Sequence, residues 1–139
     1  MKRFFLVAVS AIALASPSFA DSNKNSVDLK QAGFDLATID QIGSNNVNGA
    51  SLSQLFPSQV ATIKQDGTFN TNYSEIIQKG DIENRVEVLQ NGFDTDNTAV
   101  LTQDGRTNKI VLDQGGSGNT NWAQVSQSGI SNLTNINQK

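Results

Sequence analysis

A seven-residue unit, amide-x-small-x-aliphatic-x-Gln, recurs ten times along this 139-residue chain, and each of the first nine copies turns within a few residues into the next. The units open at Asn25, Asp35, Asn48, Gln59, Asn72, Asn84, Asn97, Asn108, Asn121 and Asn132. They close six residues later at Gln31, Gln41, Gln54, Gln65, Gln78, Gln90, Gln103, Gln114, Gln127 and Gln138. Two residues before each closing Gln stands an aliphatic: Leu29, Ile39, Leu52, Ile63, Ile76, Val88, Leu101, Leu112, Val125 or Ile136. Four before it the residue is small or β-branched, from Val27 and Ala37 through Ser74 and Val86 to Ala123 and Thr134.

All four marked positions share one parity. A strand sends alternate side chains to opposite faces, so the amide, the small residue, the aliphatic and the Gln fall on one side, which must be the interior. The positions between them are mixed, running from Lys30, Asp40 and Lys64 through Glu75, Glu87 and Lys109 to Tyr73 and Trp122, as on a solvated face. Short and long arcs alternate between units, so two strands and two arcs make a period of about 24 residues, visible in Gln41, Gln65, Gln90, Gln114 and Gln138. The expected fold is all-β: a parallel β-solenoid of five strand-arc-strand repeats, at 25–41, 48–65, 72–90, 97–114 and 121–138, with two strands per rung in two facing sheets.

The arcs carry turn chemistry. Gly stands two residues after the Gln at Gly33, Gly43, Gly67, Gly80, Gly92, Gly105, Gly116 and Gly129, with Asn, Asp and Ser nearby, as tight reversals require. The exception is Phe56, where Pro57 supplies the bend; the second coil is therefore expected to be the least regular.

Residues 1–20 read as a secretory signal: Lys2 and Arg3, the apolar run from Phe4 to Ala15, and the small-residue exit Ser18-Phe19-Ala20. A short segment, 21–24, then precedes the repeat region, 25–139. Loss of Lys2 and Arg3 leaves 8 of the 10 basic residues against 13 acidic ones, taking the formal net charge from −3 to −5. That balance opposes nucleic-acid binding. No later apolar run approaches the roughly 20 residues that span a bilayer, so an integral membrane protein is not expected. An exported chain with no cysteine needs a stabilising device other than disulfides.

Rungs stacked about 4.8 Å apart supply one, because identical side chains then form columns. A buried carboxamide without a partner costs about 1–3 kcal/mol, but in a column each amide donates to one neighbour and accepts from the other. Gln41, Gln65, Gln90, Gln114 and Gln138 are expected to form one ladder. Gln31, Gln54, Gln78, Gln103 and Gln127 form the ladder of the opposite sheet. Asn25, Asn48, Asn72, Asn84, Asn97, Asn108, Asn121 and Asn132 flank both. End rungs expose unpaired backbone and amides, so the molecule is expected to recruit another copy.

The pattern Gln-x-Gly-x-x-Asn, then six residues to Gln, resembles the curlin repeat of bacterial curli subunits. Its clearest instances are Gln103-Asp-Gly-Arg-Thr-Asn108 running to Gln114 and Gln127-Ser-Gly-Ile-Ser-Asn132 running to Gln138. The resemblance implies a secreted amyloid subunit that leaves through an outer-membrane export pore with accessory chaperones. It implies polymerisation at the cell surface with itself and a related curli subunit, in a fibre serving adhesion and the biofilm matrix. Curli systems use a major fibre subunit and a minor nucleator. The segment Ala32-Gly-Phe-Asp-Leu-Ala37 resembles the start of a nucleator, whereas the intact, uncharged stretch from Gly115 to Gln138 does not resemble a nucleator's end. Curli subunits also carry an export address before the repeats, and here only Asp21 to Lys24 stands there, so either the first coil doubles as that address or the route differs.

Other functions find less support. The chain has no His and no Cys, and its carboxylates fall at arcs or outward positions, so neither catalysis nor a cofactor is expected. Asp94 to Asn97 lacks the nonapeptide of calcium-binding β-rolls, so no metal site is assigned. Tyr73 and Trp122 leave a carbohydrate-binding β-helix as the alternative of a different class, although no arc is long enough to build a cleft. Asp66, Asp81, Asp94, Asp96, Asp104 and Asp113 either slow mispairing of the middle coils or simply favour their turns. The first reading makes the charge-free last coil the readiest end for assembly.

Overall fold

A computed structural model describes residues 10–15, 24–32, 35–56 and 58–139. Among these residues there is no helix, and eleven strands follow in order: β1 (Ser10–Ala15), β2 (Lys24–Gln31), β3 (Leu36–Gln41), β4 (Val47–Gln54), β5 (Val60–Gln65), β6 (Thr71–Ile82), β7 (Arg85–Gln90), β8 (Asp96–Arg106), β9 (Lys109–Gln114), β10 (Thr120–Ile130) and β11 (Leu133–Gln138). Strands β2-β4-β6-β8-β10 form one sheet, and β1-β3-β5-β7-β9-β11 form the other. Every pairing is parallel. From β2 onward successive strands alternate between the even and the odd sheet, so the chain winds as a two-sheet parallel solenoid of five rungs.

Period-two alternation sets the interior. Along β8 and β9 the marked positions are buried and the ones between them are not. The core is two columns per sheet, one small and one aliphatic; Leu52, Ile63, Ile76, Leu101, Ile110 and Leu112 are all at most 1 % exposed. Full burial of such a side chain stabilises by about 1.5–3 kcal/mol. The columns thin out at the ends, where Val27 is 40 % exposed and Leu29 and Ile136 only partly covered, because β2 and β11, which carry these residues, have no strand on their outer side.

The arcs repeat as faithfully as the strands. Gly105 has φ +118°, and a Cβ there would run into the carbonyl oxygen of Gly129 on the next rung. Gly80 and Gly105 thus need glycine twice over, for the backbone angle and for the closeness of the neighbouring arc, and Gly129 on the last rung for its backbone angle alone. The arcs also hold a second left-handed residue at Asn45, Ser58, Phe69, Glu83, Asp94, Thr107 and Ser131, which the sequence reading did not anticipate. Bonds between arcs restrain several of these, as where Phe69 N–H donates to Ser44 O (3.1 Å) and Ser131 N–H to Arg106 O (2.9 Å).

The expectation for the second coil is met only in part. Its pairing stops at Gln54, whereas β8 and β10 stay paired through the arc to Arg106 and Ile130. The register shift, however, lies in the third coil, between Lys79 and Ile82. There the arc from Gln78 to Asn84 holds one residue more than the arc from Gln103 to Asn108, and the extra residue must bulge. Pro57 and Gly33 lie outside the described residues.

Most of the segment read as a signal also lies outside them. Its residues Ser10–Ala15 are placed as β1, parallel to β3 in the register Ala11↔Ala37, Ala13↔Ile39 and Ala15↔Gln41. In the full-length chain β1 therefore covers the N-terminal edge of the odd sheet.

Candidate functional site

Parallel register carries the closing glutamines into two continuous columns. In the even sheet Nε2 of Gln31, Gln54, Gln78 and Gln103 donates to Oε1 of Gln54, Gln78, Gln103 and Gln127 at 2.7, 2.9, 3.0 and 3.1 Å. In the odd sheet Gln41, Gln65, Gln90 and Gln114 donate to Gln65, Gln90, Gln114 and Gln138 at 2.8, 2.9, 3.0 and 2.8 Å. The second amide hydrogen crosses the core to a backbone carbonyl of the facing sheet: Gln90 to Tyr73 O (3.0 Å), Gln114 to Thr98 O (3.1 Å) and Gln103 to Arg85 O (3.1 Å). Odd-sheet glutamines clasp their own rung and even-sheet glutamines the preceding one. From the second rung onward each amide thus ties three strands together, and the buried polar groups of the column satisfy one another.

The opening amides divide into two kinds where the sequence treats them as one. Asn25, Asn48, Asn72, Asn97 and Asn121 lie within even strands and form a side-chain ladder of reversed direction. Asn48 donates to Asn25 (3.1 Å), Asn72 to Asn48 (3.0 Å), Asn97 to Asn72 (2.9 Å) and Asn121 to Asn97 (3.0 Å). Asn84, Asn108 and Asn132 stand one residue before the odd strands and bind arcs as well as one another. Asn84 Nδ2 donates to Lys79 O (2.6 Å) and Gly105 O (3.3 Å), and its Oδ1 accepts the backbone N–H of Asn108 (3.1 Å). The reason is arc length: a short arc must close at once, and the first inward amide closes it.

In the long arcs a different residue does this work, and the sequence reading missed it. Asn46 and Asn70 are buried and use the same bonds, Asn70 Nδ2 donating to Asp66 O (3.1 Å) and Gly92 O (2.9 Å) while its Oδ1 accepts from the backbone and hydroxyl of Thr95. The signal was present as an amide two residues before Asn48, Asn72 and Asn121, with Thr95 before Asn97.

Direction makes the two ends of the molecule different. At the N-terminal end Gln31 Oε1 is buried and has no donor. At the C-terminal end Gln138 Nε2 has Trp122 O (3.1 Å) and no further Gln, and Gln127 Nε2 turns to Thr134 Oγ1 (2.7 Å) beside Lys109 O. Asp35, the one acid among the opening residues, is buried in the first rung; burial pushes its carboxyl above the ordinary range, with backbone N–H groups of Gln59 and Ala32 pulling the other way.

Tyr73 and Trp122 project outward, 41 % and 59 % exposed. Among the aspartates proposed to slow mispairing, Asp66 accepts from the N–H of Gly67 (2.7 Å) and lies 3.9 Å from Lys64, both local roles in its turn. Among the described residues no His, Cys, Asp and Glu cluster could hold a metal, and no helix is long and apolar enough to cross a membrane.

The model of the curlin-associated repeat matches residues 95–129, which span the fourth rung and most of β10. No curated protein and no solved structure matches the chain significantly. Over these residues the chain is similar to the curlin-associated repeat, and the two-strand rung of the matched stretch recurs along both sheets from the first rung to the fifth.

Proposed function

We propose that this chain is a secreted structural subunit that assembles rung upon rung into a curli-like amyloid fibre, serving adhesion and the biofilm matrix. The observation that carries the reading is the complementarity of the two ends. The N-terminal rung holds a buried acceptor without a donor, Gln31 Oε1, and the C-terminal rung has Gln138 Nε2 with no further Gln to receive it. Setting the fifth rung of one copy on the first of the next continues every column: Gln127 onto Gln31, Gln138 onto Gln41, and Asn25 back onto Asn121. Gln31 would also gain the clasp its column uses elsewhere, on the carbonyl of Leu133 of the preceding copy.

In the full-length chain β1 occupies the place that β11 of that preceding copy would take. Removal of residues 1–20 opens it. Export through a pore with chaperones, and a related curli subunit as partner, belong to the same reading. The intact fifth coil favours a bulk fibre subunit over a nucleator.

The test uses the chain lacking residues 1–20. It is expected to form fibres with a meridional spacing of about 4.8 Å, while the full-length chain polymerises far more slowly. Gln138→Glu keeps the acceptor for Gln114 and removes the donor at the free end, so its fibres should elongate several-fold more slowly. A leader-free chain that remains monomeric overturns the proposal, as does unchanged elongation of Gln138→Glu.

A further inference from the structure

The column that closes the short arcs reads Asp35, Gln59, Asn84, Asn108 and Asn132 from the first rung to the fifth. An amide suits this place because it must both accept and donate. Its oxygen takes the backbone N–H of the next rung, as Asn84 Oδ1 takes Asn108 N–H (3.1 Å) and Asn108 Oδ1 takes Asn132 N–H (3.1 Å). Its NH2 points at arc carbonyls, as Gln59 Nε2 does to Gly80 O (3.2 Å) and Asn108 Nδ2 to Asp104 O (3.1 Å).

Asp35 performs only the first half of this task. Its Oδ1 accepts Gln59 N–H at 3.1 Å. Its Oδ2, with no hydrogen to give when ionised, is buried without a partner, and so is Oε1 of Gln59 on the adjacent rung. These are two of the four buried side-chain polar atoms in the described residues that lack any hydrogen bond, and they are neighbours in one column. A proton on Asp35 supplies the donor this stretch is short of.

We infer that Asp35 is a proton-operated closure of the first rung: the neutral carboxyl donates as its column partners donate through amide hydrogens, and only then is the end rung built to receive another copy. This rests on the proposed head-to-tail assembly, in which the first rung is one half of every junction. Docking of a fifth rung sets β11 of the preceding copy where β1 lies in the full-length chain, and so keeps Asp35 buried and the neutral form preferred.

Among the described residues no charged group offsets that preference. On the elements around Asp35, Asp28 and Lys30 of β2 are exposed and paired with each other at 3.6 Å, Asp40 of β3 alternates outward from buried Ile39 and Gln41, and Lys64 of β5 is exposed beside Asp66. Burial is what raises the Asp35 carboxyl above the ordinary range, and only backbone N–H groups of Gln59 and Ala32 oppose it. The sign follows. The unfolded chain releases this proton in the ordinary carboxylate range and the folded chain holds it to higher pH, so stability of the first rung is full below the ordinary range and declines as pH rises through the folded value.

The experiment compares lag times of the leader-free chain, Asp35→Asn and Asp40→Asn from mildly acid to neutral pH, by dye binding. Asp40→Asn removes the same charge from the same rung at an outward position, and so controls for general repulsion. The parent and Asp40→Asn are expected to show a lag several-fold longer at neutral than at acid pH. Asp35→Asn should give a short, nearly pH-independent lag. A profile for Asp35→Asn that parallels the other two overturns the inference. If no chain polymerises at any pH, the proposed function fails instead; the ¹³C-labelled Asp35 carboxyl of the soluble chain is then titrated, and ionisation in the ordinary range overturns the inference on its own.

Discussion

Replacing Gln90 by Ala isolates the worth of the ladder, because Gln90 sits at the middle rung of the odd column and is fully buried. Its Nε2 donates to Gln114 Oε1 and Tyr73 O, both at 3.0 Å, and its Oε1 accepts from Gln65 Nε2 at 2.9 Å and Ser74 Oγ at 2.8 Å. The losses are unequal. Gln65 retains Gly49 O at 3.1 Å, and the Ser74 hydroxyl can rotate, but Gln114 Oε1 loses the donor shown for it. One stranded acceptor costs about 1–3 kcal/mol, and the vacated volume adds a cavity term, for a total of about 3–5 kcal/mol. With a guanidinium slope of about 4 kcal/mol/M, the dissolution midpoint of the fibre should fall by about 1 M. Gln124→Ala, on the exposed face of β10, should move it by no more than about 0.1 M. Equal shifts for the two variants would refute the claim that buried amides, and not glutamine content as such, hold the rungs together.

Gly105→Ala meets both a left-handed backbone angle and the carbonyl of Gly129, whereas Gly118→Ala meets only the former, φ +64° with open space beyond. The first should lower the dissolution midpoint by at least twice as much as the second, which forfeits about 1–2 kcal/mol. Leu101→Ala, fully buried in the aliphatic column, should cost about 2–5 kcal/mol by the same assay, while Val100→Ala beside it on the outer face costs well under half of that. Deleting residues 121–139 removes the rung proposed to dock on the next copy, and the lag of fibre formation should lengthen markedly; an unchanged lag sends the assembly site elsewhere.

The fold was legible because one inference, parity, acts identically at every copy: Ile63, Val88 and Leu112 are interior for the same reason and stack because their spacing is constant. The arcs were legible only as turns. Their glycines were apparent, yet Phe69 and Ser131 gave no sign of a left-handed backbone, since bonds to neighbouring arcs and not their own preferences hold them there. The same cause hid the arc-closing role of Asn46 and Asn70. Their chemistry is that of Asn48 and Asn72 two residues on, and only the course of the long arc separates a residue that closes a turn from one that joins a ladder. Asp35 read as one more polar opener. Its significance depends on which face of the column must donate, which parity does not tell.

Ladder direction adds a constraint that stacking alone does not. Both glutamine columns donate from the first rung toward the fifth, and the in-strand asparagine column donates the opposite way. Two C-terminal ends brought together would set Gln Nε2 against Gln Nε2 and Asn121 Oδ1 against its own copy, while two N-terminal ends would oppose buried acceptors at Gln31. Only head-to-tail contact satisfies all three columns. Within one molecule each five-member column makes four bonds, so every junction that forms adds the fifth and leaves the number of deficient ends in the fibre unchanged. Every junction, the first included, pairs one donor end with one acceptor end, so a fibre always shows a donor-deficient tip at Gln31 and an acceptor-deficient tip at Gln138, and its two tips are chemically different. Seeds labelled at one end should therefore extend from their two tips at different rates, and equal extension from both would mean that the amide columns do not dictate how copies meet.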